Sequence, residues 1–183
     1  MGSQFTKFLS LILCLAGLCL IAQAEIKSPN YDFSLATLEP FFPGKGLKEI
    51  EEEAKKTKAI KSDIFEDQGN IKIWRFKVDK KEYILDVYAQ VKDDKITDMF
   101  VRLPQHFLHD LVLADLQKRF KKQDKFVRKN GSALYVWMNR ENNNVIYHGS
   151  CSISCFPMFL EIVSSDKTVT PLYQKFNEAL PKW

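Results

Sequence analysis

Glycine and proline are sparse in this chain, with seven of each among 183 residues. That scarcity excludes collagen-like and low-complexity chains, and a composition that is 45% hydrophobic and 27% charged is typical of a folded globular domain. Catalytic signatures are also missing: there is no Gly-x-Ser-x-Gly, no phosphate-binding glycine loop and no dinucleotide-binding glycine fingerprint. The sequence therefore favours a non-enzymatic protein without a cofactor, and an unrecognised hydrolase stays as an alternative.

Long apolar runs are limited to one, at the start of the chain. Phe8–Ala22 is apolar over about 15 residues, Lys7 precedes it, and Ala22-Gln23-Ala24 provides a small-x-small cleavage site. A membrane-spanning helix needs about 20 apolar residues, so this run is too short to be typical of one. We interpret residues 1–24 as a signal peptide cut near Ala24, and we expect a periplasmic or extracellular protein. An uncleaved N-terminal anchor is the alternative.

The chain has only four cysteines and a small excess of positive charge. Removal of residues 1–24 leaves 26 Lys and Arg against 23 Asp and Glu, a formal charge of +3. This excess gives no reason to expect a nucleic-acid partner. Two of the four cysteines, Cys14 and Cys19, leave with the signal peptide. Cys151 and Cys155 remain, in a compartment that permits disulfides.

The rest of the chain divides into a lead-in, two similar units and a tail. Helical and strand patterns run from residue 46 to 103, end at Pro104, and restart with a helical stripe from Leu108 to Phe120. Strict alternation of apolar residues over 83–91 predicts a strand with one buried face. The predicted segments are an irregular lead-in (25–45), a first α/β unit (46–103), a second α/β unit (104–166) and a C-terminal helix (167–183).

These segments predict an α+β fold: two tandem helix-plus-antiparallel-meander units that form a sheet with helices packed on one face, plus a C-terminal helix. A period of about 63 residues aligns the halves, and it places Trp74 on Trp137. In layout, and in no motif, this order resembles the small helix-plus-sheet units of exported inhibitor and outer-membrane assembly proteins. The resemblance implies an antiparallel sheet with a helix packed on it, and fold alone does not imply function.

Cys151 and Cys155 are the sharpest local feature. In one continuous strand, residues four apart are separated by about 13 Å at roughly 3.3 Å per residue. A disulfide requires Cα atoms within about 7 Å, so it can form only if the chain turns between them. We predict a hairpin closed by this disulfide. The alternative is a copper or zinc site formed by His148, Cys151 and Cys155, which are soft or borderline ligands.

Three further groups of residues are candidates for function. His106 and His109, with Asp110, lie at the start of the second helix, where we expect a capping or surface role. Aromatic residues at alternate strand positions are the candidate contacts for a protein partner, with core packing beneath the helices as the alternative: Trp74, Tyr88, Tyr135 and Trp137. Basic residues near the second helix are candidate contacts for anionic lipid or an acidic protein: Lys118, Arg119, Lys121, Lys122, Lys125 and Arg128. The leading hypothesis is an exported, non-enzymatic interaction protein of unknown partner.

Overall fold

The structure is a computed structural model that describes residues 33–57, 60–80, 83–105, 107–166 and 168–181. The predicted signal peptide, the first part of the lead-in and His106 lie outside the described residues.

An antiparallel sheet dominates the described part of the chain. The lead-in contains two single-turn 3-10 helices, Leu35–Thr37 and Glu39–Phe41. In chain order the elements that follow are α1 (Leu47–Thr57), β1 (Ile60–Gln68), β2 (Ile71–Asp79), β3 (Ile84–Lys92), β4 (Lys95–Arg102), α2 (His109–Phe120), β5 (Lys125–Lys129), β6 (Ser132–Arg140), β7 (Asn143–Cys151), β8 (Cys155–Ser164) and α3 (Leu172–Lys175). The coarse prediction, an α+β fold built around an antiparallel sheet, is confirmed. A common origin of the two halves stays a prediction.

The eight described strands form a single sheet in the order β1-β2-β3-β4-β8-β7-β6-β5. Sequential strands pair within each half, and the last strand of the first half pairs with the last strand of the second. The centre of the sheet is therefore the β4–β8 pair, and the two outer strands are β1 and β5.

The longer helices pack on one side of the sheet, which we call the helix side. Val112, Leu116 and Phe120 recur at helical spacing on α2 and are buried there, together with Ile50 from α1. Alternate strand residues complete this core, because successive side chains of a strand point to opposite faces. The helical stripe predicted over Leu108–Phe120 thus supplies the buried residues of α2.

The C-terminal segment, residues 168–181, lies on the opposite side of the sheet, and we call it the strap. Leu172 is buried against Ile73, Phe100 and Phe159, and Phe176 and Leu180 pack at its edge. A C-terminal helix is predicted over residues 167–183, whereas the observed helix α3 has only four residues. Asn177 has φ 54°, a left-handed conformation that ends a helix.

The first outer strand is also longer than predicted. A short strand near Ile64 is expected from the sequence, whereas β1 covers nine residues. Most of its side chains are exposed, so it lacks the alternation that reveals a half-buried strand. Its pairing with β2, which includes an irregularity between Ile64 and Glu66, defines it instead. Such irregularities are common at sheet edges.

Candidate interaction site at the hairpin tip

The β7–β8 hairpin ends in a loop closed by a disulfide. Cys151 and Cys155 face each other as a cross-strand pair, with their Cα atoms 4.0 Å apart, and they are bonded. Within the loop, the Ser152 N–H donates to the Ser154 carbonyl at 3.1 Å. The predicted disulfide across a chain reversal is confirmed. Residues 151–155 are called the hairpin tip below.

Ile153 occupies the apex of the hairpin tip. Its relative exposure is 103%, so its side chain is as accessible as in an extended chain. Burying an isoleucine side chain is worth about 1.5–3 kcal/mol, and the fold makes no use of that free energy here. Because the disulfide already restrains the loop, a partner that buries Ile153 has little loop entropy to overcome.

The hairpin tip is supported by the neighbouring β5–β6 turn. The Cys151 N–H donates to the Gly131 carbonyl at 2.5 Å, and the Ser150 hydroxyl lies 3.5 Å from the same oxygen. Gly131 has φ +74°, which an Asn-Gly hairpin turn requires. The sequence identifies this turn, and the structure adds that it holds the hairpin tip.

Behind the tip, His109 joins α2 to the sheet through two tyrosines. Its Nδ1 lies 2.9 Å from the Tyr147 hydroxyl, and its Nε2 lies 3.3 Å from the Tyr135 hydroxyl. Burial lowers the pKa of His109 and raises the pKa values of both tyrosines, so this cluster is neutral near pH 7. A buried, neutral cluster of this kind positions the helix. The expected capping or surface role for His109 is wrong, since His109 is buried.

Gly149 leaves the space that the His109 imidazole occupies, because it has no side chain. A Cβ atom at residue 149 would lie 3.0 Å from the His109 Nδ1 and 3.1 Å from the Phe156 carbonyl oxygen. Only a glycine lets the imidazole rest on the strand at this point without displacement. The start of α2 is therefore fixed beside the end of β7, close to the hairpin tip.

Exposed apolar side chains are concentrated at this end of the sheet. In the antiparallel order, the start of β3, the end of β4, the hairpin tip and the start of α2 all lie at one end. Six of the ten large apolar residues classed as exposed among the described residues are found there: Ile84, Leu108, Leu111, Ile153, Phe156 and Met158. They share one end of the sheet but lie on both of its sides, since Ile84 alternates with Leu85 of the helix-side core, and the hairpin tip is the most exposed point among them.

The predicted aromatic contacts do not form one surface. Trp137 has 0% exposure and donates its indole N–H to the Lys121 carbonyl at 2.8 Å, so its assignment as an exposed contact is wrong. It lies on the helix side, beneath α2. Trp74 and Tyr135 are half-buried on that same side. Tyr88 is half-buried on the opposite side, against Phe176 of the strap at a centroid distance of 5.0 Å.

Of the six basic residues predicted to form a surface, five are exposed and one, Arg119, is engaged in ion pairs within the fold. Arg119 forms ion pairs with Glu39 and Glu141, and its guanidinium lies 4.8 Å from the centre of the Phe42 ring. It acts as a link between the lead-in, α2 and the β6–β7 turn. The other five are exposed along the end of α2 and the outer strand β5: Lys118, Lys121, Lys122, Lys125 and Arg128. Their role in binding an anionic surface stays a prediction.

The alternative metal site is not assembled. Cys151 and Cys155 are oxidised to a disulfide, which leaves no thiolate. Alternation along β7 places His148 on the strap side of the sheet, where it packs against Phe159. Gly149 and Cys151 face the helix side instead, so His148 and Cys151 point away from each other. In the part of the chain that the structure describes, no three His, Cys, Asp or Glu residues are arranged to hold a metal ion.

Sequence reasoning missed a buried pair of acidic residues. Asp98 on β4 and Glu161 on β8 both have 0% exposure and lie on the strap side. Burial raises the pKa of each carboxyl, and the neighbouring Asp98 raises that of Glu161 further. A signal was present, because Glu161 interrupts the apolar run Phe159–Val163 at a position that a central strand buries on both faces.

We expect loss of the disulfide to have a modest effect. Replacing Cys151 and Cys155 with serine should lower the free energy of unfolding by about 2 kcal/mol at most, because the closed loop is very short. Urea denaturation of the double variant and the wild-type protein measures the difference. A single Cys151→Ser variant is the control for a lone thiol. A loss much above that value would mean that the disulfide organises more than its own loop.

Comparison with known protein families, curated proteins and solved structures finds no match to this chain. None of the helices within the described ranges is long and apolar enough to cross a membrane.

Proposed function

We propose that this protein is an exported, non-enzymatic binding protein that contacts its partner through the hairpin tip and the apolar residues around it. One observation carries the proposal: Ile153 is fully exposed at the apex of a loop that a disulfide and the Gly131 turn hold in place. Rigid, solvent-exposed apolar anchors are typical of binding loops, because binding then costs little ordering entropy. Metal handling has less support, since no group of three His, Cys, Asp or Glu among the described residues is arranged to hold a metal ion.

Export is part of the same proposal. The apolar run before Ala24 supports a cleaved signal peptide, and the pairing of the two remaining cysteines suits an oxidising compartment. We place the mature protein in the periplasm or the extracellular space. There, a partner meets the hairpin tip in its oxidised form.

We also propose that the sheet arose from two tandem copies of one helix-plus-meander unit. A shift of 63 residues maps Trp74 in β2 onto Trp137 in β6, the second strand of each half. The same shift maps Asp98 onto Glu161, and it maps Met99 onto its own cross-strand partner, Ile162. The 63-residue shift thus exchanges β4 and β8 and leaves their pairing register unchanged. Two related units joined about a pseudo-two-fold axis would produce this pattern.

The partner has two candidate chemistries. A protein with an apolar pocket fits Ile153, and its rim can contact Phe156 and Leu108. The exposed cations along α2 and β5 favour an acidic surface next to that pocket, on a protein or on an anionic lipid layer. Of these, we propose a protein partner, because the rigid apex offers one defined anchor.

Photo-crosslinking tests the proposal. A photoreactive side chain at residue 153, introduced in the exported protein, should capture a defined partner in the native compartment. The same side chain at Met138, which is exposed at the other end of the sheet, is the matched control. For the purified partner, Ile153→Asp should weaken binding about tenfold or more, with unfolding free energy unchanged. Equal capture at residues 138 and 153, or unaltered affinity, would contradict the assignment.

A further inference from the structure

The strap is attached to the sheet at a pair of buried carboxyl groups. Asp98 and Glu161 are diagonal neighbours on the paired central strands, they point to the same side of the sheet, and both have 0% exposure. Two ionised carboxylates buried side by side repel each other strongly and lose their hydration. At least one of the pair is therefore protonated in the folded structure.

Both carboxyl groups also accept hydrogen bonds from the backbone of the strap. The Leu172 N–H donates to the Asp98 Oδ2 at 2.6 Å, and the Tyr173 N–H lies 3.2 and 3.3 Å from the two oxygens of Glu161. The second Asp98 oxygen, Oδ1, is buried without a hydrogen-bond partner among the described residues. The proton held between the two side chains is thus the donor available to that oxygen.

The rest of the strap covers an aromatic surface. Phe176 packs edge-on against Tyr88, Phe100 and Phe65, with ring centroids 5.0 to 6.0 Å apart. Gln90 donates to the Thr170 carbonyl at 3.3 Å. If the strap leaves, this aromatic surface and both carboxyl groups become accessible to water.

Few other ionisable groups face this region from the elements around it. The positive charge of Lys175 on α3 acts on Asp98, and Arg102 on β4 forms a 2.5 Å ion pair with Glu178 of the strap. His148 on β7 is buried against Phe159, and burial lowers its pKa, so it is neutral above its ordinary range. His148 therefore contributes no change of charge as the pH rises from about 6.5 to 9.

We propose that the proton shared by Asp98 and Glu161 fastens the strap to the sheet, and that its loss at rising pH releases the strap and uncovers the aromatic surface. Two ionised carboxylates in contact repel each other and cannot both remain buried. Release of the strap hydrates both of them. The device is separate from the hairpin tip and does not depend on the function proposed for it.

The direction of the pH dependence follows from proton binding. Both carboxyl groups have a raised pKa in the folded state, so the closed form holds protons that the open form loses above the ordinary carboxyl range of about 4. The strap is therefore held most strongly at acidic pH, and its attachment weakens as the pH rises towards the pKa values that the two carboxyl groups have in the closed form. One proton released on opening changes the opening equilibrium up to tenfold per pH unit.

Amide hydrogen exchange of Leu172 and Tyr173 measures the opening. After correction for the intrinsic rate, the opening constant of the wild-type protein should rise by at least tenfold from about pH 6.5 to pH 9. Binding of an apolar fluorescent dye should rise in parallel, because the uncovered surface is aromatic. A constant opening constant over this range, with unchanged dye binding, would overturn the proposal.

Two variants and one control separate the shared proton from ordinary packing. Glu161→Gln supplies a permanent N–H donor to Asp98 and should flatten the pH dependence, and Asp98→Asn should do the same if the first variant does not fold. Arg102→Gln removes the ion pair with Glu178 and keeps the carboxyl pair, so it should raise opening equally at every pH. A Glu161→Gln protein that keeps the wild-type slope would refute the shared proton.

Discussion

Replacing Trp137 with alanine should lower the free energy of unfolding by about 3–5 kcal/mol, the range for large aromatic residues in a core. The indole is completely buried beneath α2 and packs against Phe120, with ring centroids 6.5 Å apart. The substitution leaves a cavity on the helix side, and it also removes the donor to the Lys121 carbonyl. That carbonyl belongs to the residue that ends α2, so the end of the helix loses its attachment to β6.

Trp74→Ala is the matched control for this experiment. Trp74 is the residue that the 63-residue shift aligns with Trp137, and it lies on the same side of the sheet, but it is only half-buried. Its replacement should cost clearly less. Chemical denaturation of both variants measures the two losses. Equal losses, or a loss below about 1 kcal/mol for Trp137→Ala, would contradict the burial that we describe.

The elements that could be predicted from the sequence are those whose burial follows a period. In β3, apolar residues at every second position predict a strand with one buried face, and in α2 the stripe ending at Phe120 predicts the helix. The disulfide was predictable for a different reason. The predicted signal cleavage leaves only two cysteines, and the flanking strand patterns place a chain reversal between them.

The features that could not be predicted depend on pairing between distant parts of the chain. β1 is an outer strand whose mostly exposed side chains carry no period, so its length is decided by pairing with β2. Arg119 belongs to a basic stretch in the sequence, yet its partners Glu39 and Glu141 are 80 and 22 residues away. Sequence reasoning therefore treated Arg119 as a charge available to a partner, although its guanidinium is engaged in ion pairs within the fold.

Trp137 and Glu161 illustrate the same limit for single side chains. A strand pattern shows that alternate residues share a face, but it does not show which face a helix covers. For that reason the sequence left Trp137 either as a contact for a partner or as part of the core, and the structure places it in the core beneath α2. Glu161 lies in an apolar run that suggested a buried strand, and it is tolerated there because burial and the neighbouring Asp98 raise its pKa and the Tyr173 N–H of the strap donates to it.

Gly131→Ala should destabilise the protein by about 3 kcal/mol, with contributions from backbone conformation and from a steric contact. Residue 131 has φ +74°, which costs an L-residue about 1–2 kcal/mol. A Cβ atom there would also lie 2.9 Å from the Cys151 carbonyl oxygen. That oxygen belongs to the backbone at the base of the hairpin tip, so relief requires a shift of the strand, and such overpacking costs about 1–3 kcal/mol.

Gly69→Ala isolates the first contribution. Residue 69 forms the β1–β2 turn with φ +72°, nearly the same conformation, and a Cβ atom there meets nothing within 4 Å. We expect a loss of about 1 kcal/mol for Gly69→Ala, and the difference between the two variants measures the steric contact with Cys151. In Gly131→Ala the displaced strand should also change the amide chemical shifts of residues 151–155. Equal losses for the two variants would mean that the β5–β6 turn does not hold the hairpin tip in place.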